Sequence, residues 1–198
     1  IDAYGVLVQS SGSLPGAPEF VRELRRRGKK VRVVTNDASR TPETCVSVYA
    51  SRGLEIALEE VITAGLTIAP AFQRRGLSKP SCAVLGTEGT LELVRRAGGV
   101  PHAITREAEF DAVVIGDDSG FDAIPTMNAL LTSLHRSIDA GHIPALLLAN
   151  PDLLYPVADR TYGFTSGSLS KLLEIGLEQL HPDKDLKFEV LGKPSRLI

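Results

Sequence analysis

Apolar positions in the first eighty residues fall alternately into short blocks and helical stripes. Residues 1–8 are an apolar run interrupted by Asp2, Tyr4 and Gly5, which reads as a strand giving way to a glycine turn. Residues 10–16 form a Ser/Gly/Pro loop. Phe20, Val21 and Leu24 then sit at helical spacing, so residues 18–27 predict a helix that Gly28 stops. Lys30-Val31-Arg32-Val33-Val34 reads as the next strand, and a right-handed crossover makes it parallel to the first. Pro42 in the first helical position opens a second helix, which Arg52-Gly53 ends. Residues 61–63 fit a short strand or a turn, and residues 66–75 a helix with Pro70 in its first half.

At Ser78-Lys79-Pro80 the periodicity breaks, which marks a hinge. Beyond it the alternation resumes: a strand over 82–85, a helix over 90–97, and a strand over 112–115. A long helix over 122–140 carries Met127, Leu130, Leu131, Leu134 and Ile138 on one stripe. A buried strand over 145–149 ends at Asn150-Pro151-Asp152, a helix covers 167–180, and a strand over 188–191 delivers Lys193. The pattern predicts an α/β core interrupted by an α/β insertion, with a core part over 1–78, the insertion over 79–186 and a return over 187–198.

Composition narrows the class. The 198 residues can bury a sizeable core, and 43% apolar with 23% charged residues is ordinary for a globular chain. No run approaches the roughly 18 apolar residues of a membrane span. Twenty-two basic against twenty-four acidic residues, with a pI near 6.1, argue against a general binder of nucleic acid or anionic membranes. Arg25-Arg26-Arg27 with Lys29-Lys30 reads as a solvated helix end. Cys45 and Cys82 cannot build a disulfide framework and read as small core residues of a cytoplasmic protein. His102, His135, His142 and His181 show no pairing at metal-ligand spacing, so they read as ordinary surface or loop histidines. Asp117, Asp118 and Asp122 lack a calcium-loop pattern; Asp122 is placed to cap the next helix and the other two read as a solvated loop. There is no phosphate-binding P-loop and no strand-linked dinucleotide fingerprint.

The chemistry lies at three strand ends: Asp2, Thr35-Asn36 and Gly192-Lys193-Pro194. Each alone is an ordinary turn or surface residue, but groups at strand ends can converge on one crevice. An Asp there can attack phosphorus and form an aspartyl phosphate that water removes, splitting one hard displacement into two easier ones. The hydroxyl of Thr35, the backbone N–H groups after it, the Lys193 ammonium and a hard divalent cation would neutralise the phosphoryl charge.

Read in order, Asp2-Ala3-Tyr4-Gly5-Val6-Leu7, Leu14-Pro15-Gly16-Ala17, Val33-Val34-Thr35-Asn36-Asp37-Ala38-Ser39-Arg40, Ala149-Asn150-Pro151-Asp152 and Leu191-Gly192-Lys193-Pro194-Ser195 resemble the motifs of the haloacid dehalogenase superfamily, class IIA. That branch holds nitrophenyl-phosphatase-like enzymes, including phosphatases of sugar phosphates, nucleotides, phosphoglycolate and pyridoxal phosphate. The resemblance covers essentially the whole chain. It implies a Rossmann-like parallel-sheet core with an inserted α/β cap, and a magnesium-dependent phosphatase of a small phosphorylated metabolite. It makes Asp2 the nucleophile and a Mg2+ ligand, the Tyr4 carbonyl a second ligand, and Lys193 the group that orients Asp2. Thr35, Asn36 and Asp37 become the phosphoryl cradle, and Asn150 and Asp152 a cap loop facing the site, although a plain turn accounts for them equally. A homodimer through the cap is an assembly such caps offer.

Two departures stand out. The phosphatases of the superfamily place a second Asp two residues after the nucleophile as acid and base, where this chain has Tyr4; a phenol, with an ordinary pKa near 10, is a poor general base at neutral pH. Tyr4 instead resembles the opening motif of the haloacid dehalogenases, so metal-free carbon–halogen hydrolysis is an alternative, as is a phosphate-ligand binder without turnover. The acidic motif that completes the family's magnesium site is expected after a further helix and strand, past Ile198, and residues are expected before Ile1.

Overall fold

The computed structural model describes residues 1–9, 12–158 and 160–198. Ser10 and Ser11 of the expected loop lie outside the described residues. The largest element is a parallel sheet of β5 (Ser81–Leu85), β6 (Val100–His102), β7 (Ala112–Ile115), β8 (Ala145–Leu148) and β11 (Glu189–Val190), in the order β11-β8-β7-β5-β6. The central strands are almost wholly apolar because helices cover both faces. Residues alternate between those faces along each strand. Ala83, Leu85, Val113, Ile115, Leu146 and Leu148 face one way, packing on Leu130, Leu134 and Ile138 of α5 (Ala123–Asp139) and Leu173 and Leu177 of α6 (Ser166–Leu180). Cys82, Val84, Ala112, Val114 and Leu147 face the other way, onto Ile68 and Phe72 of α3 (Ile68–Arg74) and Leu93 and Val94 of α4 (Glu88–Arg96). Each fully buried Leu, Ile or Phe contributes roughly 1.5–3 kcal/mol relative to exposure.

The first eighty residues make a smaller layered unit. α1 (Ala17–Arg26) and α2 (Pro42–Ser51) flank β3 (Val33–Thr35), which pairs in parallel with β4 (Val61–Thr63), so the choice left open at 61–63 falls to strand. Val21, Val33, Cys45, Tyr49, Leu54 and Val61 close their own cluster with Ala3 and Leu7. Thr41 caps α2 by accepting from the Thr44 amide, next to Pro42 in the first turn. Pro70 is the third residue of α3, where no intrahelical N–H is needed, so it costs that helix nothing.

Several expectations need correction. The opening strand is short: Ile1 exchanges bonds with Arg32 and Val34 beside β3, then the amides of Val6, Leu7 and Val8 converge on the Ala3 carbonyl in a tight turn. A small hairpin follows, β1 (Val8–Gln9) with β2 (Gly12–Ser13). The strand that delivers Lys193 lies at the edge of the large sheet, paired with β8. Besides β2, which falls in the expected loop, three strands carry no sequence expectation: β6, β9 (Leu154–Ala158) and β10 (Thr161–Phe164), the last two forming an antiparallel hairpin. Pro101 and Pro156 obscured them, yet both are admissible, since β6 is an edge strand and β9 pairs on one side. Asp122 stands at the start of α5 without a side-chain capping bond. The histidines are not all ordinary: His181 is buried and its ring meets that of His135. Cys45 and Cys82 are buried free thiols, as expected, with burial pushing their pKa values up to about 12 and about 11. Among the described residues no helix is long and apolar enough to cross a membrane.

Candidate active site

Asp2 follows directly on the backbone pairing of Ile1 with β3, so its position is fixed by the strand that ends in Thr35. Lys193 arrives from β11. Its ammonium sits 2.7 Å from Asp2 Oδ1 and donates to the Val34 carbonyl at 3.1 Å. The Ala3 amide donates to the same Oδ1 at 2.8 Å, so among the described residues both contacts of Asp2 fall on one oxygen and Oδ2 has none.

Asn36 ties the strand ends together. Its Oδ1 accepts from the Lys193 amide at 2.7 Å, while its Nδ2 donates to Asp152 Oδ1 at 3.0 Å and to the Lys193 carbonyl at 3.3 Å. Asn150 holds the Asp152 amide through its own Oδ1 at 3.0 Å. The loops pass closely enough that Gly192 is required: a Cβ there would lie 2.5 Å from the Ala149 carbonyl oxygen and 2.8 Å from Asn36 Oδ1. Thr35 is buried and accepts from the Asp37 amide at 3.3 Å. Asp37 is occupied by its own turn, accepting from Ser39 N and Oγ at 2.8 Å and from Arg40 at 2.8 Å.

Asp2, Tyr4, Thr35, Asn36, Asp37, Asn150, Asp152 and Lys193, every residue that sequence reasoning singled out, line one open cavity of about 660 Å3. Asp37 differs from the expected cradle in one respect: its carboxylate shapes the loop through Ser39 and Arg40. Tyr4 is partly exposed and its hydroxyl donates to the Pro156 carbonyl of β9 at 3.5 Å, so the phenol leans on the hairpin. The wall also includes Arg40, Asp117, Asp118 and Tyr155, none of them expected. Asp117 follows the carboxyl end of β7, and the strand-end rule that found Lys193 applies to it equally. Burial raises the pKa of Asp117, against the hydrogen bonds it accepts from Ser119. A cavity lined by Lys193, Arg40 and Asn36, with the ammonium held against the Asp2 carboxylate, can bind a phosphate ester and present it to an oxygen nucleophile.

The chain belongs to the haloacid dehalogenase-like hydrolases: the family model of that description matches residues 1–99. Among individual relatives it is 28% identical over 226 residues to glycerol-3-phosphate phosphatase of Rattus norvegicus, an alignment covering 100% of this chain and 64% of that protein. It is 23% identical over 200 residues to sugar-phosphatase AraL of Bacillus subtilis, covering 100% of this chain and 66% of AraL. The chain thus spans just under two thirds of the length of these relatives. In fold it matches the crystal structure of a glycerol phosphate phosphatase from Mycobacterium tuberculosis in complex with magnesium, with a TM-score of 0.79 at 21% identity, over 99% of this chain and 54% of that one.

Proposed function

We propose that this protein hydrolyses phosphate monoesters of small metabolites, of the glycerol-phosphate or sugar-phosphate kind, through an aspartyl-phosphate formed on Asp2. The observation that carries this reading is the Lys193–Asp2 contact of 2.7 Å inside a cavity whose volume suits such a metabolite. An oxygen of Asp2 attacks phosphorus in line, the bond to the ester oxygen breaks, and the alcohol leaves once that oxygen gains a proton. Water then attacks phosphorus, releases inorganic phosphate and restores the carboxylate. Lys193 holds Oδ1 and neutralises charge on the phosphoryl group, while Thr35 and the amides after it cradle that group. Asn36 keeps Lys193 in place from the side.

The donor set suits a hard cation. Asp2, whose Oδ2 has no contact among the described residues, and Tyr4 both line the cavity, and Mg2+ takes few carboxylates while keeping water and substrate phosphate as its other ligands. Asp2 and the Tyr4 carbonyl would hold Mg2+, whose charge would stabilise the phosphoryl oxygens. The same reading divides the chain into a core and a cap that carries Asn150 and Asp152, with pairing of two copies through the cap.

Tyr4 favours a second reading. No carboxylate stands at that position, so proton transfer to the leaving oxygen falls to a phenol or to water, and carbon–halogen hydrolysis at Asp2 would need neither a metal nor that proton. Phosphate release from a panel of phosphate esters, with and without Mg2+, against halide release from 2-haloacids with a chelator present, decides between them. Absence of Mg2+-dependent phosphate release, or its persistence in Asp2→Asn, would overturn the phosphatase reading.

A further inference from the structure

Away from the cavity, α5 and α6 bring three ligand-type side chains together. His135 and Asp139 stand one turn apart near the end of α5, and His181 follows directly on Leu180, the last residue of α6. The two helices pack side by side through Leu130, Leu134, Leu173 and Leu177, so their ends cannot drift apart without opening the core. His135 Nδ1 lies 3.1 Å from His181 Nε2, with ring centroids 5.0 Å apart and the rings tilted by 49°. Asp139 reaches both rings, Oδ2 at 3.5 Å from His135 Nε2 and Oδ1 at 3.8 Å from His181 Nδ1. One donor atom from each residue lies within 4.8 Å of the other two.

We propose that His135, Asp139 and His181 form a site for a divalent transition ion of the zinc class, separate from the phosphate cavity. Bonds of about 2.0–2.1 Å in a tetrahedral set put neighbouring donors roughly 3.3 Å apart; with one donor atom from each residue the present separations stay within 4.8 Å, a gap that rotation of the exposed Asp139 side chain and a turn of the rings closes. Two imidazoles and one carboxylate select Zn2+, Co2+ or Ni2+ over Mg2+ or Ca2+, which favour all-oxygen sets. His181 is buried and enters preordered, whereas the side chain of Asp139 is 60% exposed, leaving a solvent side for ion entry and water ligands. The ion would clamp the end of α5 to the end of α6. The opposite end of α6 borders the phosphate cavity, about 22 Å away along a helix of 15 residues. The clamp therefore stabilises the helix pair without entering the chemistry.

Zinc titration against a chromophoric chelator, with Mg2+ in excess, tests this. Wild type binds one Zn2+ per chain at this site; His135→Gln and Asp139→Asn weaken that binding by at least about tenfold. Asp139 is exposed, so the metal-free melting curve of Asp139→Asn should match wild type and its zinc loss reads ligand loss alone; His135 is half-buried against the His181 ring, so His135→Gln is read beside its own metal-free melting curve. Co2+ gives a visible ligand-field band in wild type that His135→Gln loses, while Asp2→Asn keeps both the band and the bound zinc. Unchanged zinc affinity in His135→Gln and Asp139→Asn, no zinc bound by wild type, or loss of the zinc in Asp2→Asn would each overturn the proposal.

Discussion

Replacing Gly192 by alanine tests whether the site depends on the close passage of three loops. The added Cβ would lie 2.5 Å from the Ala149 carbonyl oxygen, 2.8 Å from Asn36 Oδ1 and 2.9 Å from Pro151 Cδ. None of these yields cheaply. Ala149 is fixed by the hydrogen bond its N–H donates to the Ile115 carbonyl, Pro151 is a ring, and Asn36 is held by hydrogen bonds to Lys193 and Asp152. Ordinary contacts at such atoms are roughly 3.5–4.0 Å, so the loops must separate by about 0.6–1.5 Å. Overpacking of this kind costs about 1–3 kcal/mol. The displaced loop carries Lys193, and a misplacement near 1 Å lowers turnover by about 100-fold. Urea unfolding and phosphate-release kinetics read the two effects separately. Gly176→Ala is the control, because its Cβ meets only the flexible end of Leu131 at 3.1 Å on the far part of α6; stability within about 1 kcal/mol of wild type and unchanged turnover are expected. Gly192→Ala with wild-type midpoint and wild-type kcat would refute the packing argument.

Lys193→Met should lower kcat/KM by about 100–1,000-fold yet shift unfolding by no more than about 1 kcal/mol, since the ion pair is partly exposed; a large stability loss would make the lysine structural instead. Tyr4→Asp should raise phosphate release by at least about 100-fold by supplying the absent acid and base, and an unchanged rate would show that proton transfer does not limit the reaction. Asp111 accepts from the Ser81 amide at 2.7 Å and from its hydroxyl at 2.9 Å, and these bonds hold its pKa below the ordinary carboxylate value. Its stabilisation is therefore full above the unfolded pKa near 4 and is lost as pH falls through the folded one. Asp111→Asn should cost about 1 kcal/mol at pH 7 and less at pH 3, and urea midpoints at the two values check the sign.

How far the fold was legible depended on burial. β7 and β8 are buried throughout and read as unbroken apolar runs, and the Leu130, Leu134 and Ile138 stripe of α5 kept helical spacing because one face meets the sheet. The β9–β10 hairpin was invisible for the opposite reason. Tyr162 and Phe164 are 68% and 75% exposed, so no buried face imposes alternation, and Pro156 argued against a strand. Of the site, the polar groups that end a strand stood out against the apolar run before them; Asp117 shares that position but was read with its acidic neighbours as a solvated loop. His135 and His181 carry no local signal, since they are 46 positions apart.

The order of residues alone determined the succession of strands and helices, the absence of a membrane-length apolar run, and the residue types available at each strand end, because these follow from short-range periodicity and composition. The tertiary structure decided which of those groups meet. Only packing of the large sheet against its helices sets the edge on which β11 delivers Lys193 to Asp2 and closes His135, Asp139 and His181 into one cluster. Contacts across more than a hundred residues depend on how layers stack, and no local pattern encodes that distance.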